Sequence, residues 1–276
     1  MKPVLFRVFW LPVFFIAFFE SVWANEPDSL LFVQQEWEVK ELKPGVTWKH
    51  AHIQNLFNSH QVIHILEVDL SRHLGSVYLA GDPQKLIKTS DFAKANGALV
   101  AINGGFFNMK NGGAVDVLKI DGSIINAPER NSPNANGAFV LTKEGAAILK
   151  SVDLNIEAYP NIMASGPLLM LQKEELDLKK TPFVENRHPR TAVSVTDDNK
   201  LLLITIDGRN SQAQGFSLHE LTKVLKWSGA VDALNLDGGG STTFYVKGEG
   251  VVNYPSDNKT FDHEGERHVA NIIYIK

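Results

Sequence analysis

The chain of 276 residues contains no cysteine. Disulfide bonds and a lipid-attachment cysteine are therefore both excluded, and the fold must be stabilised mainly by burial of its core. An excess of positive charge is also missing, because the formal net charge is −4 at pH 7. This balance argues against a nucleic-acid partner. Internal repeats and low-complexity linkers are missing too, so the length suits one domain or two small ones.

Long apolar runs are scarce, and the run at the N-terminus is short. Lys2 and Arg7 precede an apolar stretch at 8–19, and small or apolar residues lead up to Ala24. This order is typical of a secretory signal peptide that is cleaved after Ala24. The stretch is too short for a comfortable membrane span. We therefore predict a signal peptide at 1–24, export to the periplasm or beyond the cell, and no stable membrane anchor after cleavage; an uncleaved anchor is the alternative.

Short strands separated by turn residues dominate the rest of the chain. Turn signals at 121–122, 143–145 and 197–199 each lie between two strand-like runs, which is typical of antiparallel hairpins. One helix is strongly marked, because Ser217 and Glu220 form a capping-box pattern ahead of apolar residues that follow one helical side. The prediction is an α+β fold with a mixed, largely antiparallel sheet and a few packed helices.

The most informative segment lies at 230–247. Its apolar run is followed by Asp237 and three glycines, Gly238, Gly239 and Gly240. Three adjacent glycines weaken any regular helix or strand, so we expect them to permit an unusual backbone conformation. Their N–H groups could form a concave nest that a ligand can approach. A carboxylate beside such a nest suits chemistry on a sugar or a phosphate. A tight hairpin turn capped by the aspartate is the structural alternative.

Two other strand-like runs end in polar, turn-forming residues, at 103–105 and 207–209. If these ends converge with the glycine segment, Asn103, Asp207 and Asp237 share one pocket. Two carboxylates suit glycosidic chemistry, in which one acid protonates the leaving oxygen and the other stabilises or attacks the oxocarbenium centre. We predict Asp207 and Asp237 as the catalytic pair and Asn103 as the residue that orients the substrate. A simple turn at 207–208 is the alternative.

Two arginines at the starts of strands are candidates for phosphate binding. Arg190 and Thr191 begin one strand, and Arg267 precedes the last strand of the chain. A guanidinium can bind phosphate through two parallel hydrogen bonds. A surface ion pair is the alternative for either arginine. Glu266, beside Arg267, is a further candidate for a proton donor.

Metal and nucleophile motifs match the sequence poorly. His60 and His64 have a four-residue spacing, but the zincin pattern needs a glutamate where Gln61 stands. Their segment reads as a strand, in which four steps separate the two side chains by roughly 13 Å, so a shared zinc ion is not expected. Ser241 does not lie in a nucleophile-elbow motif. No cofactor is required by the sequence, although oxygen ligands near the glycines could hold Ca²⁺.

Several motifs occur in a fixed order. They are AINGGFF at 101–107, ASGP at 164–167, PRTA at 189–192, LITIDGR at 203–209, GFSLHEL at 215–221, ALNLDGGGSTT at 233–243 and GERHVAN at 265–271. This series resembles the phosphodiester glycosidase family over residues 98–276. Ser194 departs from the pattern where a glycine is common, and residues 25–97 match weakly. We expect that strand-rich N-terminal region to belong to the same globule.

The resemblance implies hydrolysis of a sugar-1-phosphodiester between the anomeric carbon and the phosphate oxygen. We therefore expect an exported hydrolase acting on an envelope or extracellular glycan, that is, on a sugar-phosphate or polysaccharide substrate. The alternatives are a metal-assisted phosphodiesterase that cuts P–O and a non-catalytic polysaccharide-binding protein. The expected substrate-binding residues are Gly104, Gly105, Arg190, Thr191, Arg209, Asn235, Gly238, Gly239, Gly240, Ser241, Thr242, Glu266 and Arg267.

Overall fold

The computed structural model describes residues 27–128 and 130–276. The predicted signal peptide at 1–24 lies outside the described residues. Within the described ranges, no helix is both long enough and apolar enough to cross a membrane.

The described chain is built from short strands and a few helices. The strands are β1 (Glu38–Lys43), β2 (Val46–Leu56), β3 (Ser59–Asp69), β4 (Val77–Gly81), β5 (Ile87–Lys88), β6 (Val100–Asn103), β7 (Leu118–Ile120), β8 (Ser123–Asn126), β9 (Gly137–Leu141), β10 (Ala146–Lys150), β11 (Asn161–Ser165), β12 (Leu168–Leu171), β13 (Glu174–Glu175), β14 (Arg190–Thr196), β15 (Lys200–Ile206), β16 (Ala230–Asn235), β17 (Phe244–Val246), β18 (Gly250–Val251), β19 (His268–Val269) and β20 (Asn271–Ile275). The helices are α1 (Asp28–Val33), α2 (Leu70–His73), α3 (Thr89–Ala95), α4 (Pro182–Glu185) and α5 (Leu218–Trp227).

Three larger sheets organise these strands. The largest has the order β1-β2-β3-β15-β14-β16-β12-β13, and two five-stranded sheets have the orders β10-β9-β11-β7-β8 and β18-β17-β6-β20-β4. The neighbouring strands pair antiparallel, for example β14 with β15 and β14 with β16. The α+β prediction with a largely antiparallel sheet is confirmed.

The N-terminal strands belong to the largest sheet. Strand β3 pairs with β15 over seven residues, from the Lys200–Asp69 pair to the Ile206–Ile63 pair. Strand β2 then pairs with the other edge of β3. Residues that precede the family-like segment therefore cover the edge of a strand that leads directly to Asp207.

The largest sheet is buried on both faces, which explains the continuous apolar run of β15. On one face, Leu203 belongs to a core shared with residues of both five-stranded sheets, among them Phe139 and Ile273. On the other face, Ile204 packs in a second core with residues of α5 and with Phe32 of α1. Helix α5 begins with the predicted capping box, in which the Ser217 side chain accepts from the Glu220 N–H.

Candidate active site

The glycine turn after β16 is fastened to the ends of two other strands. The Asp237 N–H donates to the carbonyl of Gly104, just after β6, at 3.0 Å. The Gly239 N–H donates to the carbonyl of Pro189, just before β14, at 2.8 Å. A Cβ on Gly238 would lie 2.6 Å from the same carbonyl oxygen, and Gly239 has a φ of +62°. Glycines are therefore needed here for close approach and for a left-handed backbone.

Asn103 holds the same turn from the interior. Its Nδ2 donates to the Asp237 carbonyl at 2.6 Å, and its Oδ1 accepts from the Thr191 hydroxyl at 2.8 Å and from the Thr243 N–H at 3.2 Å. The residue is fully buried. Asn103 thus positions the aspartate, and its enclosed amide offers no surface for orienting a substrate directly.

Two guanidinium groups lie against the glycine turn. A Cβ on Gly239 would lie 2.8 Å from Nη2 of Arg209, and a Cβ on Gly240 would lie 2.5 Å from Nη2 of Arg267. Both arginines also act electrostatically on Asp237 and oppose the rise in its pKa that burial causes. The absence of side chains on two glycines therefore allows two cations to approach the turn beside one carboxylate.

The two arginines differ in how firmly they are held. Arg267 pairs with Asp257, with Nε and Oδ2 3.0 Å apart, and this contact lowers the pKa of the Asp257 carboxyl. Arg209 is exposed, and its side chain makes one long hydrogen bond among the described residues, at 3.5 Å to the Ser256 hydroxyl. Arg209 also has a φ of +64°, which is uncommon for a residue with a side chain. Such strain favours a functional role at this position.

The electrostatics of Asp237 reflect this setting. Burial of the carboxyl group raises its pKa to about 6, opposed by the Ser241 hydroxyl, Arg267, the Gly238 N–H and Arg209. The Ser241 hydroxyl lies near the carboxylate but does not form a regular hydrogen bond, because its oxygen has no partner within the described residues. The Asp237 residue keeps partial solvent exposure. At pH 7 the carboxylate is mainly ionised and accessible.

Asp207 lies in a different environment. Its Oδ1 accepts from Nδ2 of Asn253 at 2.7 Å, and the whole residue is only 1% exposed. Its Oδ2 has no hydrogen-bond partner among the described residues and lies 3.8 Å from Nε2 of His64. Burial raises the pKa of Asp207 to about 7, and hydrogen bonds from Asn253 and the Tyr254 backbone oppose this shift.

The tautomer of His64 follows from its hydrogen bonding. Nδ1 of His64 lies 3.3 Å from the Trp48 indole nitrogen, which can only donate. Nδ1 is therefore the acceptor, and the proton of the neutral ring is assigned to Nε2, on the side of Asp207. Burial and the neighbouring His50, His52 and His263 lower the pKa of His64 well below its usual value. The ring is consequently neutral at pH 7.

Asn253 connects Asp207 to the segment that follows the glycines. Its Nδ2 also donates to the Thr242 carbonyl at 3.1 Å, and its Oδ1 accepts from the Phe244 N–H at 2.7 Å. The sequence analysis did not identify this residue. An asparagine two residues before Pro255 does indicate a turn, but that signal does not reveal a partner 46 positions away.

Comparison with known proteins identifies the family of this chain. The profile of the phosphodiester glycosidase family matches residues 96–276. The chain belongs to the phosphodiester glycosidase family. It is 27% identical over 187 residues to the mouse N-acetylglucosamine-1-phosphodiester alpha-N-acetylglucosaminidase, covering 61% of this chain and 35% of the mouse protein. The chain thus spans about a third of the length of the curated relatives it matches.

Two solved structures share the fold. The catalytic domain of the zebrafish N-acetylglucosamine-1-phosphodiester alpha-N-acetylglucosaminidase, auto-inhibited by its pro-peptide, gives a TM-score of 0.69 at 23% identity and covers 87% of each chain. A hypothetical protein from Synechocystis gives a TM-score of 0.66 at 16% identity, covering 88% of this chain and 64% of that one. At these identities the likeness concerns the fold alone.

Burial distinguishes two groups among the predicted site residues of this member of the phosphodiester glycosidase family. Asp237, Gly238, Gly239, Arg209 and Arg267 keep solvent exposure. Seven polar side chains are at most 1% exposed, namely Asn103, Arg190, Thr191, Asp207, Asn235, Ser241 and Thr242. The buried members connect strands behind the turn, as when Asn235 donates to the Gly166 carbonyl at 2.7 Å. The first group is the accessible part of the candidate site.

Arg190 differs most from its predicted role. Its Nε donates to the Phe216 carbonyl at 2.8 Å, and its Nη2 donates to the carbonyls of Phe183 and Asn186 at 2.8 and 2.9 Å. Burial lowers the pKa of the guanidinium to about 10, which still leaves it charged at pH 7. The side chain holds helix α4 and Asn186, the residue that follows it, because main-chain carbonyls occupy its donors.

Glu266 and Gly105 are likewise engaged within the protein. The Glu266 carboxylate accepts from the N–H and the hydroxyl of Ser90, at 2.6 and 2.7 Å, and so caps the first turn of α3. The Gly105 N–H donates to Oδ1 of Asn271 at 2.6 Å. A Cβ on Gly104 would collide with the same oxygen at 2.2 Å. These glycines allow close packing behind the turn, and the glutamate stabilises a helix.

The structure also bears on metal binding. His60 and His64 both lie in the β3 segment, as the sequence predicts. In the described ranges, no group of three or more His, Asp or Glu side chains is arranged to hold a metal ion.

Proposed function

We propose that this protein is an exported hydrolase that cleaves the glycosyl–phosphate bond of a sugar-1-phosphodiester in an envelope or extracellular glycan. Family membership supports the reaction class, and the signal-peptide pattern at 1–24 supports export. The observation that carries the proposal is the approach of Arg209 and Arg267 to the glycine turn beside Asp237. Two cations next to one carboxylate suit a substrate that joins a phosphate to an anomeric carbon.

The arginines bind the phosphate in this proposal. A phosphodiester carries one negative charge, and the leaving phosphate gains a second as the electron pair of the glycosidic bond passes to its oxygen. Guanidinium groups stabilise such charge through paired, charge-assisted hydrogen bonds. Asp257 orients Arg267 through its ion pair. Arg209 has its donors largely uncommitted within the described chain and makes the more adaptable contact.

In this proposal, Asp237 acts at the anomeric carbon of the substrate. The C–O bond breaks with its electron pair passing to the phosphate oxygen, and a water oxygen then bonds to the carbon and loses its proton. The mainly ionised carboxylate stabilises the developing oxocarbenium centre, accepts the proton from water and releases it to solvent. Because a phosphate leaving group has a low pKa, strong general-acid assistance is unnecessary. The products are a reducing sugar and a phosphomonoester.

Asp207 contributes indirectly in this proposal. Its enclosed carboxylate contacts Asn253, which in turn holds the backbone after the glycine turn. We therefore assign Asp207 to positioning the 241–244 segment, together with Asn103. Direct contact with the substrate is left to Asp237, the more exposed of the two carboxylates.

Release of reducing sugar from a panel of sugar-1-phosphodiesters tests the activity. We expect Asp237→Asn to lower the rate by about 10²- to 10⁴-fold, the range typical of a lost acid–base group. Asp232→Asn is the matched control, since Asp232 lies in β16, the strand that leads to Asp237, and its carboxylate accepts from the Gln172 N–H at 2.7 Å. Full activity in Asp237→Asn would end the assignment of this carboxylate.

Hydrolysis in ¹⁸O-labelled water identifies the bond that breaks. Label in the released sugar supports cleavage at the anomeric carbon. Label in the phosphate supports a phosphodiesterase that cuts P–O, with metal dependence as its second sign. Tight glycan binding without turnover of any diester supports a polysaccharide-binding protein instead.

A further inference from the structure

A groove lined by imidazole and phenol rings lies beside the candidate active site. Two cavities of about 470 and 350 Å³ share His52 as a lining residue. The first is also lined by His60, and the second by His50, Tyr254 and His263. We call these five residues, with the space they enclose, the histidine groove.

The sheet places these rings in register. His50 pairs directly with His64 across β2 and β3, and His52 lies two residues further along β2, on the same face. The rings of His50 and His64 stack at 5.5 Å between centroids with an angle of 17° between their planes. His52 meets Tyr254 edge-on at 5.9 Å. Because the His50 ring stacks on Trp48 and His64, and the Tyr254 ring stacks on Phe261, these two rings offer mainly their polar edges to the groove, while His52 is exposed.

Two of the imidazoles in and beneath the groove, those of His52 and His64, have lowered pKa values. Burial lowers the pKa of His52 and, more strongly, that of His64, so both rings are neutral at pH 7. Nδ1 of His263 lies 2.7 Å from the Asn253 carbonyl, which can only accept, so this nitrogen carries a proton. A neutral His52 ring, the Tyr254 hydroxyl and the Glu249 carboxylate in the lining suit a hydroxyl-rich, uncharged ligand better than a second phosphate.

Ring stacking argues against a metal in this groove. A metal binds the in-plane lone pairs of imidazoles, and stacked parallel rings direct those lone pairs side by side instead of toward one point. Nε2 of His50 also lies 3.3 Å from Oε2 of Glu38, outside the groove lining.

Two segments connect the groove with the arginines. In the first, Arg209 lies against the glycine turn, while Ser211 and Gln212 line the groove. In the second, residues 254–257, Tyr254 lines the groove and Asp257 pairs with Arg267. The groove and the proposed phosphate site are therefore adjacent parts of one surface.

We propose that the histidine groove is a second subsite, which binds neutral sugar units of a glycan chain next to the phosphodiester. This inference rests on the proposed function, and it specifies the substrate as an oligosaccharide or polysaccharide. A sugar ring would place its apolar C–H face on the exposed His52 ring and its hydroxyls on the polar edges of the neighbouring rings. The arginines would bind the phosphate of the same molecule.

The histidine signals in an NMR titration test this subsite without requiring turnover. The probes are the neutral tetrasaccharides of glucose and of N-acetylglucosamine. We expect at least one of them to shift the ring signals of His50, His52 and His263, while those of His219 and His268 stay unchanged. His52→Ala should weaken binding about three- to tenfold, as expected for one lost ring contact. His52 is exposed, so this variant keeps its fold.

His219→Ala is the matched control, because His219 is exposed on α5 and its ring contacts Glu185. Its affinity for the tetrasaccharide should equal that of the unsubstituted protein. The proposal is overturned if neither probe shifts the groove signals at millimolar concentration, or if His52→Ala and His219→Ala bind equally well.

Kinetics separate this inference from the proposed function. For a diester that carries a glycan chain, His52→Ala should raise KM more than it does for a methyl diester of the same sugar. If no diester is hydrolysed but the tetrasaccharide binds, the proposed reaction fails and the subsite stands. If diesters are hydrolysed and the chain makes no difference to KM, the subsite fails and the reaction stands.

Discussion

The Nε2 atom of His64 lies 3.8 Å from Oδ2 of Asp207, and neither atom has a hydrogen-bond partner within the described residues. Both groups are almost fully buried, and burial is the largest cause of each pKa shift. It raises the pKa of the carboxyl group and lowers that of the imidazole. Each group therefore favours its neutral form in the folded protein. As pH rises, the shift of Asp207 lowers the free energy of unfolding and that of His64 raises it.

The pH dependence of stability should reveal Asp207. The folded state binds this proton up to about pH 7 and the unfolded state only to about pH 4, so the free energy of unfolding falls as pH rises between these values. The Asp207→Asn variant lacks this titrating carboxyl group and should not show this fall in the free energy of unfolding. Its unfolding free energy relative to the unsubstituted protein should increase by about 2 kcal/mol between about pH 5 and pH 8. Urea unfolding measures this difference, and a constant difference across that range would contradict the raised pKa.

The same experiment reports on His64. The lowered pKa of His64 means that the unfolded state binds more protons below about pH 6.5, so stability falls on acidification through this range. In the Asp207→Asn variant this contribution is no longer opposed by the carboxyl group. We therefore expect the variant to lose stability more steeply than the unsubstituted protein as pH falls from 6.5 to 5.

Arg209→Gly should separate activity from stability. Glycine adopts the observed φ of +64° without strain, which stabilises the folded state. The added freedom of the unfolded chain destabilises the folded state by roughly the same amount, so the free energy of unfolding should change by less than about 1 kcal/mol. Sugar release should fall by about 10²-fold, because one of two phosphate contacts is lost. Steady-state kinetics and thermal unfolding of the same preparation give both values. Unchanged kcat/KM would remove Arg209 from the proposed site.

Gly240→Ala tests the close approach of Arg267. The added Cβ would lie 2.3 Å from Oδ1 of Asp257 and 2.5 Å from Nη2 of Arg267, so their ion pair must shift. We expect kcat/KM to fall by at least about tenfold, because a displaced cation stabilises the leaving phosphate less well. Gly145→Ala is the control, since a Cβ there meets nothing within 4 Å and the backbone is not left-handed. Equal activity in both variants would contradict the proposed role of Arg267.

Arg190→Lys should affect stability far more than substrate binding. An ammonium group cannot replace a fork that donates to three carbonyls, and each unsatisfied buried carbonyl costs about 1–3 kcal/mol. We expect a loss of about 2–4 kcal/mol in the free energy of unfolding. Arg72→Lys, on an exposed i,i+3 ion pair, should lose less than about 1 kcal/mol. A raised KM with unchanged stability would instead return Arg190 to the phosphate site.

Local features of this fold were predictable from sequence. The capping box of Ser217 and Glu220 predicts helix α5 because both partners lie within one turn. The hairpin around Asp121 and Gly122 was predictable for the same reason, since its turn residues adopt left-handed backbone and join β7 to β8. In such elements the signal and the structure involve the same few residues.

Distant partners could not be predicted in this way. A guanidinium that binds phosphate and one that binds carbonyls look alike in sequence, and only the structure shows that Arg190 contacts carbonyls. Glu266 accepts from Ser90, 176 positions away, which no spacing rule connects. The same limit applies to Arg209, whose motif predicted a site residue but not its contact with Gly239.

The pairing of β3 with β15 has a practical consequence for work on this family. Sequence similarity begins at residue 96, yet a fragment cut there would leave β15 with a bare hydrogen-bonding edge, directly ahead of Asp207. We expect this fragment to self-associate through the exposed edge of β15. The segment that matches the family profile is shorter than the segment that must be expressed, because the hairpin of β2 and β3 has to be included.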